Sequence, residues 1–416
     1  MIRNNFASNL YYRAILFFFF FVAAAASFNG FYNKWHFREA GACGSLPKAG
    51  FTAMVEGTAD RPVVYRQLLP MLANSLDRLL PEHAKDWLFA VKSKAGIPLR
   101  ERFFNSPVAQ DRVYFLRYLT IYILSFLFAW ISVYAMYMVG KSAGYAPSTA
   151  ALAAIVMILL IPFFMSRGGY FYDYPELAFY ALAVWMALNF DWWWMIPVVA
   201  LATLNKESFL FFIPALYPLV RQRSSRSGAL AGTGILGLIC AAVYCVIRSH
   251  FQHNPGVMVE RHFAIQMLYT FHPVNLLIPA ALALYFYLRR QSSRIYALVG
   301  IGVLALTCAA TIYLITVLPF IRAENTYGMN VIQIFNPLSV ILIGWIVWRG
   351  WRSLPRAIQR HALIAAGINF PLYLLFGYPG ELRGLSMLYV TFLLLLAANM
   401  ASWTGNQSSA SAQPQC

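Results

Sequence analysis

The chain has 416 residues, of which 60% are hydrophobic and only 11% are charged, and its formal net charge is +17. Apolar runs of about 17–25 residues, the length that crosses a bilayer core, recur along most of the chain, which excludes a soluble globular protein. The runs are continuous and do not alternate, which also excludes a β-barrel. We therefore predict an all-α, polytopic transmembrane helical bundle with the lipid bilayer as its main partner.

The N-terminal segment has a positive region followed by an apolar run that extends through Phe31 and Tyr32. This pattern also describes a cleavable signal peptide, but the run is long enough to span, so we favour an uncleaved first helix. The segment 192–204 is too short to cross alone and is typical of a half-helix, so we expect about 11–12 spans. In chain order, the predicted spans are 14–32, 112–139, 148–165, 174–190, 192–204, 206–220, 228–248, 273–288, 295–318, 330–348, 361–376 and 385–401.

The charges divide between the two sides of the predicted bundle. With the N-terminus cytoplasmic, the arginine clusters at 221–226, 289–294 and 349–360 fall on the cytoplasmic side, as the positive-inside rule requires, so they indicate topology and no nucleic-acid partner. Of the fifteen Asp and Glu residues, only Asp191 falls on that side. Because acidic residues contribute little to membrane insertion, their uneven distribution between the two sides predicts a functional site on the outer side.

We predict one integral membrane domain over residues 1–403. Its large first outer loop, 33–110, contains apolar residues at three- and four-residue spacing, which is typical of juxtamembrane helices that lie on the outer leaflet. The tail 404–416 is polar and rich in Ser and Gln, and we expect it to be disordered.

The outer loop contains an unusually polar stretch, EGTADRPVVYRQLLP, at residues 56–70. Its first half predicts a turn, followed by a helix from about Val64. A carboxylate beside guanidiniums stays ionised and can act as a general base, and the arginines can bind a phosphate through paired hydrogen bonds. The alternative is a salt bridge that holds an interfacial helix in place. The candidate residues are Glu56, Asp60, Arg61, Tyr65, Arg66 and Gln67.

The segment RGGYFYDYPELAF stands at the outer mouth of a predicted span. It places Asp173 and Glu176 at membrane depth, where ionisable groups are costly and usually mark a working site. Tyr172 lies beside them, flanked by Tyr170 and Tyr174. The alternative for the tyrosines is an ordinary aromatic belt at the membrane interface.

Two further polar segments interrupt apolar sequence on the same side. In LNKES, we expect Lys206 to meet an anionic lipid phosphate, with Glu207 orienting it and Asn205 beside it; the alternative is a local Lys206–Glu207 pair that marks a turn. In GYPGELRG, Glu381 and Arg383 precede the last span, where an ordinary loop salt bridge is the alternative.

Motifs for metal or nucleotide chemistry do not occur in the sequence. The histidines at 250, 253, 262 and 272 match no tight metal-binding spacing, and there is no P-loop, GxSxG or GxGxxG motif. We therefore predict no metal ligands and name no certain cofactor, and the question of a divalent cation stays open.

Four segments, taken in order along the chain, resemble bacterial membrane proteins of the GT-C glycosyltransferase superfamily. They are D-x-P-x-x-Y-R in the first outer loop, YFYDYPELAF, ATLNKES and a late ELR. The similarity is strongest to poorly characterised members with FNDYP and LNRET segments, and it runs from Asp60 to about Leu395 through four short motifs. Such enzymes move a sugar from a polyprenyl-phosphate carrier to a glycan or lipid acceptor of the cell envelope. The resemblance implies a bacterial inner membrane location and an active face on the periplasmic side.

Carried onto this chain, the resemblance makes Asp60 the catalytic acid, with Glu56 as its companion and Asp173 as the second acid. The matching substrate-binding positions are Tyr65 and Arg66, then Asn205, Lys206 and Glu207, then Glu381 and Arg383. Lys206 stands where Arg is more usual, which keeps the charge but loses the bidentate fork. Glu56 and Asp60 are four residues apart and form no paired-acid motif, which leaves metal dependence open.

Three alternatives remain beside the glycosyltransferase interpretation. A surface-polysaccharide polymerase or ligase also handles lipid-linked glycans, but it usually carries its arginines in a large late loop. A transporter or flippase for a lipid-linked glycan predicts buried charges within spans and broken helices at the midplane. A structural or assembly subunit is the third alternative.

Overall fold

The computed structural model describes residues 2–37, 49–94, 103, 106–165, 169–256, 337–377 and 382–403. These parts are 83% helical and contain no strand, which confirms the all-α prediction for them. The helices are α1 (Ile2–Trp35), α2 (Phe51–Glu56), α3 (Leu68–Leu79), α4 (Glu82–Lys94), α5 (Pro107–Gln110), α6 (Phe115–Ser142), α7 (Pro147–Leu160), α8 (Asp173–Asn189), α9 (Ile196–Asn205), α10 (Ile213–Val220), α11 (Arg226–His250), α12 (Pro337–Trp351), α13 (Arg356–Phe376) and α14 (Tyr389–Trp403).

Within the described residues, five helical segments are long and apolar enough to cross a membrane: Arg13–Trp35, Phe115–Ser142, Pro147–Phe164, Arg226–His250 and Leu382–Trp403. They coincide with predicted spans, so the apolar runs located these helices correctly. The predicted spans 273–288 and 295–318, the tail 404–416 and the candidate Glu381 lie outside the described residues. The total number of spans therefore stays a prediction.

Helix α8 lies at the centre of the bundle and is buried along most of its length. Helix α6 packs against it through a face of small, fully buried residues that includes Ser125, Ala129 and Ser132. Small side chains let two helices approach closely in an apolar medium. The Ser125 and Ser132 hydroxyls donate to the carbonyl oxygens of Phe171 (3.1 Å) and Tyr174 (3.2 Å). These bonds satisfy carbonyls at the start of α8 and fix its position.

Two short apolar helical segments, Trp192–Asn205 and Glu207–Val220, follow α8 and are joined at Lys206. Each is shorter than the roughly 20 residues that a bilayer core requires. Lys206 has an extended backbone (φ −157°, ψ 121°), which ends the first helix. The Asn205 amide donates to the carbonyl of Tyr172 at 3.1 Å, so the Lys206 turn lies at the end of the bundle where α8 begins.

This arrangement defines two ends of the bundle. The acidic end contains the start of α8 (Asp173 and Glu176), the Lys206 turn and the 3₁₀ segment Leu382–Leu388. The basic end contains Arg221–Arg226 and Arg349–Arg360, where α10 ends and α13 begins.

The first loop is attached to the acidic end by aromatic packing and by hydrogen bonds from the Asn254 side chain. Phe51 of α2 contacts Tyr118 (ring centroids 4.7 Å apart) and Phe171 (5.8 Å). The Asn254 amide donates to the carbonyls of Gly57 (2.8 Å) and Ala59 (2.9 Å). The loop is therefore held between the start of α8 and the segment that follows α11.

The helix predicted from about Val64 begins later in the structure. Residues Val63–Tyr65 form one 3₁₀ turn, and α3 begins only at Leu68. The Gln67 amide donates to the carbonyls of Tyr65 (3.0 Å) and of Leu204 at the end of α9 (2.9 Å). This bond to α9 directs the chain across the acidic end and places Arg66 ahead of α3 rather than inside its first turn.

Candidate functional site at the acidic end

Three ion pairs converge at the acidic end, and each joins segments that are far apart in the sequence. The nitrogen–oxygen distances are 3.4 Å for Arg66–Glu207, 2.8 Å for Lys206–Glu176 and 3.2 Å for Arg383–Asp173. The carboxylates of Asp173 and Glu176 have side-chain exposures of 1% and 3%. The four segments that the sequence singled out therefore meet in one place.

Two tyrosines lie between the two arginines of the site. The rings of Tyr170 and Tyr172 are stacked, with centroids 4.9 Å apart and planes at 14°. The Arg66 guanidinium lies 4.4 Å from the centroid of Tyr172, and that of Arg383 lies 4.8 Å from the centroid of Tyr170. Arg66 also donates a hydrogen bond to the Tyr172 hydroxyl. Cation–π contact of this kind holds a guanidinium in a fixed plane, so the tyrosines are more than an interface belt.

The start of α8 is built to hold carboxylates. Asp173 and Glu176 both lie in its first turn, where the helix dipole favours negative charge. The Asp173 Oδ2 atom accepts a hydrogen bond from the Tyr170 amide at 2.7 Å, which closes the turn ahead of the helix. The Ser386 hydroxyl donates to Glu176 Oε1 at 2.6 Å. Both carboxylates are thus fixed by neutral donors as well as by their cations.

The extended conformation of Lys206 determines the pairing of the LNKES segment. Successive side chains point to opposite sides of an extended backbone, so Lys206 and Glu207 diverge. The Lys206 ammonium donates to both oxygens of Glu176 at 2.8 Å. Glu207 instead accepts from Arg66 at 3.4 Å. The local Lys206–Glu207 pair that the sequence left open is therefore not the arrangement in the structure.

Three buried acceptor oxygens of the site accept no hydrogen bond from the described residues. They are Oδ1 of Asp173, Oδ1 of Asn205 and Oε2 of Glu207. Buried polar atoms of folded proteins almost always have a partner, so each such oxygen needs a donor from elsewhere. Hydroxyl groups are suitable donors, and three such acceptors on residues of one cluster favour a ligand that carries several hydroxyls.

The guanidinium of Arg66 stays charged in this environment. Burial opposes its charge, but Tyr172 and Glu207 beside it keep its pKa above the ordinary value. A permanently charged, planar guanidinium is suited to binding phosphate, provided that the phosphate competes with Glu207.

The other candidates of the first loop make contacts of their own. Glu56 accepts a hydrogen bond from Tyr114, just before α6, and no described contact joins it to the three ion pairs. The Arg61 amide donates to the Pro255 carbonyl at 2.8 Å, and its guanidinium donates to the Gly256 carbonyl at 3.4 Å. Arg61 thus attaches the loop to the segment that follows α11.

Asp60, Tyr65 and Gln67 lie in the turn region on either side of Arg66. Asp60 is half-buried, and its carbonyl accepts from the Val64 amide at 3.1 Å. Tyr65 is buried and packs edge-to-face on Tyr244 of α11, with centroids 5.8 Å apart. Gln67 is buried, and its side chain donates to the Val64 carbonyl at 2.6 Å. Tyr65 and Gln67 thus stabilise the turn, and the role of Asp60 as a base stays a prediction.

The described residues contain no group of three or more His, Cys, Asp or Glu side chains that could hold a metal ion. The carboxylates of Asp173, Glu176 and Glu207 are each paired with a cation of the protein, which by itself neither requires nor excludes a metal. The question of a divalent cation, left open by the sequence, therefore stays open.

Some residues of the site were not among the sequence candidates. Ser386 lies within GELRGLSMLYV, only three residues after Arg383, and a hydroxyl in the same polar segment was the available signal. Asn369, within α13, holds this segment by donating to the Gly384 carbonyl (2.8 Å) and accepting from the Met387 amide (3.2 Å). No local pattern marks Asn369, because its partners are fifteen or more residues away.

No model of a protein family matches this chain, and comparisons with curated proteins and with solved structures give no match either. The resemblance to GT-C enzymes therefore depends on the four sequence segments alone.

Proposed function

We propose that the acidic end is the active site of a membrane glycosyltransferase, which moves a sugar from a polyprenyl-phosphate donor to an acceptor of the cell envelope. The observation that carries the proposal is that three buried acceptor oxygens without described donors lie in the same cluster as three cations. A sugar phosphate matches both features of the cluster: its hydroxyls can donate hydrogen bonds to the acceptor oxygens, and its phosphate can accept them from the cations. The bacterial inner membrane and a periplasmic active face belong to this proposal.

In the proposed reaction, a base removes the proton from an acceptor hydroxyl, and the oxygen attacks the anomeric carbon of the donor. The bond from that carbon to the phosphate oxygen breaks, and the electron pair leaves with the polyprenyl phosphate. We assign the base to Asp60, because it matches the acid of the family motif and lies six residues before Arg66. Arg66 and Lys206 stabilise the departing phosphate, and Asp173, Asn205 and Glu207 accept hydrogen bonds from the sugar.

Transfer by the full-length protein in lipid nanodiscs tests the proposal. The substrates are a panel of polyprenyl-phosphate sugars with labelled sugars, together with membrane-extracted glycan and lipid acceptors. We expect Asp60→Asn to lower transfer by at least about a hundredfold, as loss of a general base does. Asp191→Asn is the matched control, because Asp191 follows α8 at its other end, and it should transfer at the wild-type rate.

The result that would contradict the assignment of the base is equal transfer by wild type and Asp60→Asn. If Asp173→Asn abolishes transfer while Asp60→Asn does not, Asp60 is not the base and the essential carboxylate is Asp173. Absence of labelled product from every donor in the panel, with wild-type protein that is folded by its thermal transition, would contradict the glycosyltransferase function itself.

One observation favours a second candidate, a transporter for a lipid-linked glycan. The short segments Trp192–Asn205 and Glu207–Val220 meet at a charged turn, and interrupted helices are typical of transporter binding sites. Proteoliposomes that carry a fluorescent lipid-linked glycan distinguish the two functions. Movement of the intact lipid between leaflets, without cleavage of its sugar, would support transport and contradict the transferase.

A further inference from the structure

A groove lies at the basic end between α10 and α13, at the opposite end of the bundle from the ion-pair cluster. Its volume is about 490 Å³, which is within the usual range of small-molecule sites. Arg221, Gln222 and Arg360 line its polar part, and Pro218, Leu363 and Ile364 line its apolar part. The groove therefore presents two guanidiniums beside a hydrocarbon wall.

The surroundings of the groove are strongly positive. Segments 221–226 and 352–360 together contain six arginines and no acidic residue. The Arg221 guanidinium donates to the carbonyl of Ser224 at 2.8 Å, which is a neutral acceptor, and none of the ion pairs found among the described residues includes Arg221 or Arg360. Uncompensated guanidiniums at close range attract an anion.

The apolar wall continues away from the arginines along α13. Leu363 is 61% exposed, and Phe370, seven residues further on and thus on the same helix face, is 38% exposed. A small inorganic anion gains nothing from such a wall, whereas an acyl chain buries apolar surface on it. The order of groups, guanidiniums first and hydrocarbon behind, is that of an amphiphile with an anionic head.

We propose that this groove binds an anionic phospholipid, with its phosphate between Arg221 and Arg360 and an acyl chain along Leu363 and Phe370. Basic pockets between membrane helices are a recognised setting for anionic lipid headgroups, and paired guanidiniums bind phosphate oxygens strongly. This site is independent of the proposed glycosyl transfer and takes its ligand from the leaflet at the basic end.

Native mass spectrometry of the full-length protein in detergent tests the proposal, with phosphatidylglycerol and phosphatidylcholine of identical acyl chains as probes. The double variant Arg221→Gln/Arg360→Gln should bind phosphatidylglycerol at least about tenfold more weakly than wild type, since it loses two charged hydrogen-bond donors. The control Arg223→Gln/Arg352→Gln removes the same charge at the same end but does not line the groove, and it should bind within about twofold of wild type. Leu363→Ser should also weaken binding.

Equal weakening in both double variants would overturn the proposal, because binding would then follow total charge and not the groove. Unchanged binding in Arg221→Gln/Arg360→Gln would overturn it as well. Glycerol phosphate, which lacks acyl chains, separates the sources of phosphate: binding as tight as that of the lipid would contradict the lipid assignment. The thermal transition of each variant shows that it is folded.

Discussion

The two ends of the bundle use arginine in opposite ways. At the acidic end, Arg66 and Arg383 have side-chain exposures of 14% and 11%, and each pairs with a carboxylate from a distant segment. At the basic end, Arg221 and Arg360 are exposed, and none of the described ion pairs includes them. The difference shows that a cation near a membrane can either set the membrane topology of the chain or pair with a carboxylate in a buried polar cluster.

Burial is the physical basis of this difference. Moving an ion pair out of water costs free energy that its attraction seldom exceeds, so a buried pair is weak evidence for stability alone. The acidic end keeps the Asp173 and Glu176 carboxylates almost fully buried beside their cations, and the Arg66–Glu207 pair is partly buried. This buried charge favours a functional reason for the cluster, whereas the exposed arginines follow the positive-inside rule and stay accessible to an anionic ligand.

The largest expected effect tests this contrast directly. Arg383→Gln leaves the Asp173 carboxylate buried without its cation, so we expect it to lower the free energy of unfolding by about 3–5 kcal/mol. Arg352→Gln at the basic end is the control and should stay within about 0.5 kcal/mol of wild type. Chemical denaturation in detergent measures both variants. The double variant Asp173→Asn/Arg383→Gln should recover part of the loss, and equal destabilisation by the two single arginine variants would contradict the comparison.

A smaller effect is expected from the hydroxyl that supports Glu176. Ser386→Ala removes a 2.6 Å hydrogen bond to a buried carboxylate, and we expect a loss of about 1.5–3 kcal/mol in the same denaturation assay. Ser249→Ala is the matched control, because that exposed hydroxyl bonds only to its own helix backbone. A Ser386→Ala protein as stable as the control would show that Lys206 alone is enough to stabilise the buried carboxylate of Glu176.

Tyr172→Phe should have a still smaller effect on stability. The substitution keeps the stacked ring and removes only the hydroxyl that accepts from Arg66, so we expect a loss of about 1 kcal/mol. If Arg66 holds the donor phosphate, the rate of sugar transfer should fall by a larger factor than the small loss of unfolding free energy would explain. Equal wild-type and variant transfer, measured with the labelled donor, would show that the Tyr172 hydroxyl is not needed to position Arg66 for the reaction.

The smallest expected effect is a local pH dependence in the first loop. Hydrogen bonds from Lys85 and Arg112 lower the pKa of Glu82 below its usual value. Its stabilising contribution is therefore present above about pH 4.3 and is lost as the pH falls through the lower folded-state pKa. As the pH falls, the backbone amides of α4 should exchange faster in wild type, after correction for intrinsic rates. The increase should be smaller in Glu82→Gln. An identical pH profile in the two proteins would contradict the role of Glu82.

Much of the helical organisation could be predicted because hydropathy is a local property. The run predicted at 112–139 corresponds to Phe115–Ser142, and the break predicted after 204 corresponds to the extended Lys206. The start of α3 was predicted too early, since a backbone bond from Gln67 to Leu204 decides it. Leu204 is far from Gln67 in the sequence, so no local sequence pattern could have predicted this bond.

The membership of the acidic cluster was also largely predictable, because ionisable residues within apolar sequence are few. Asp173, Glu176, Lys206, Glu207 and Arg383 were all candidates, and the structure brings them together. The sequence placed Glu56 and Arg61 in the same group, but their contacts attach the first loop to Tyr114, just before α6, and to the segment that follows α11.

The sequence alone determined which segments are helical and apolar, which end of the bundle is basic, and which polar residues interrupt the spans. These properties follow from local composition and from the high cost of charge in a bilayer. Only the tertiary structure decided which cation meets which carboxylate, because each pair joins segments that folding alone brings into contact. Lys206 shows the reason: its extended backbone turns it away from the adjacent Glu207 and towards Glu176, thirty residues earlier in the chain.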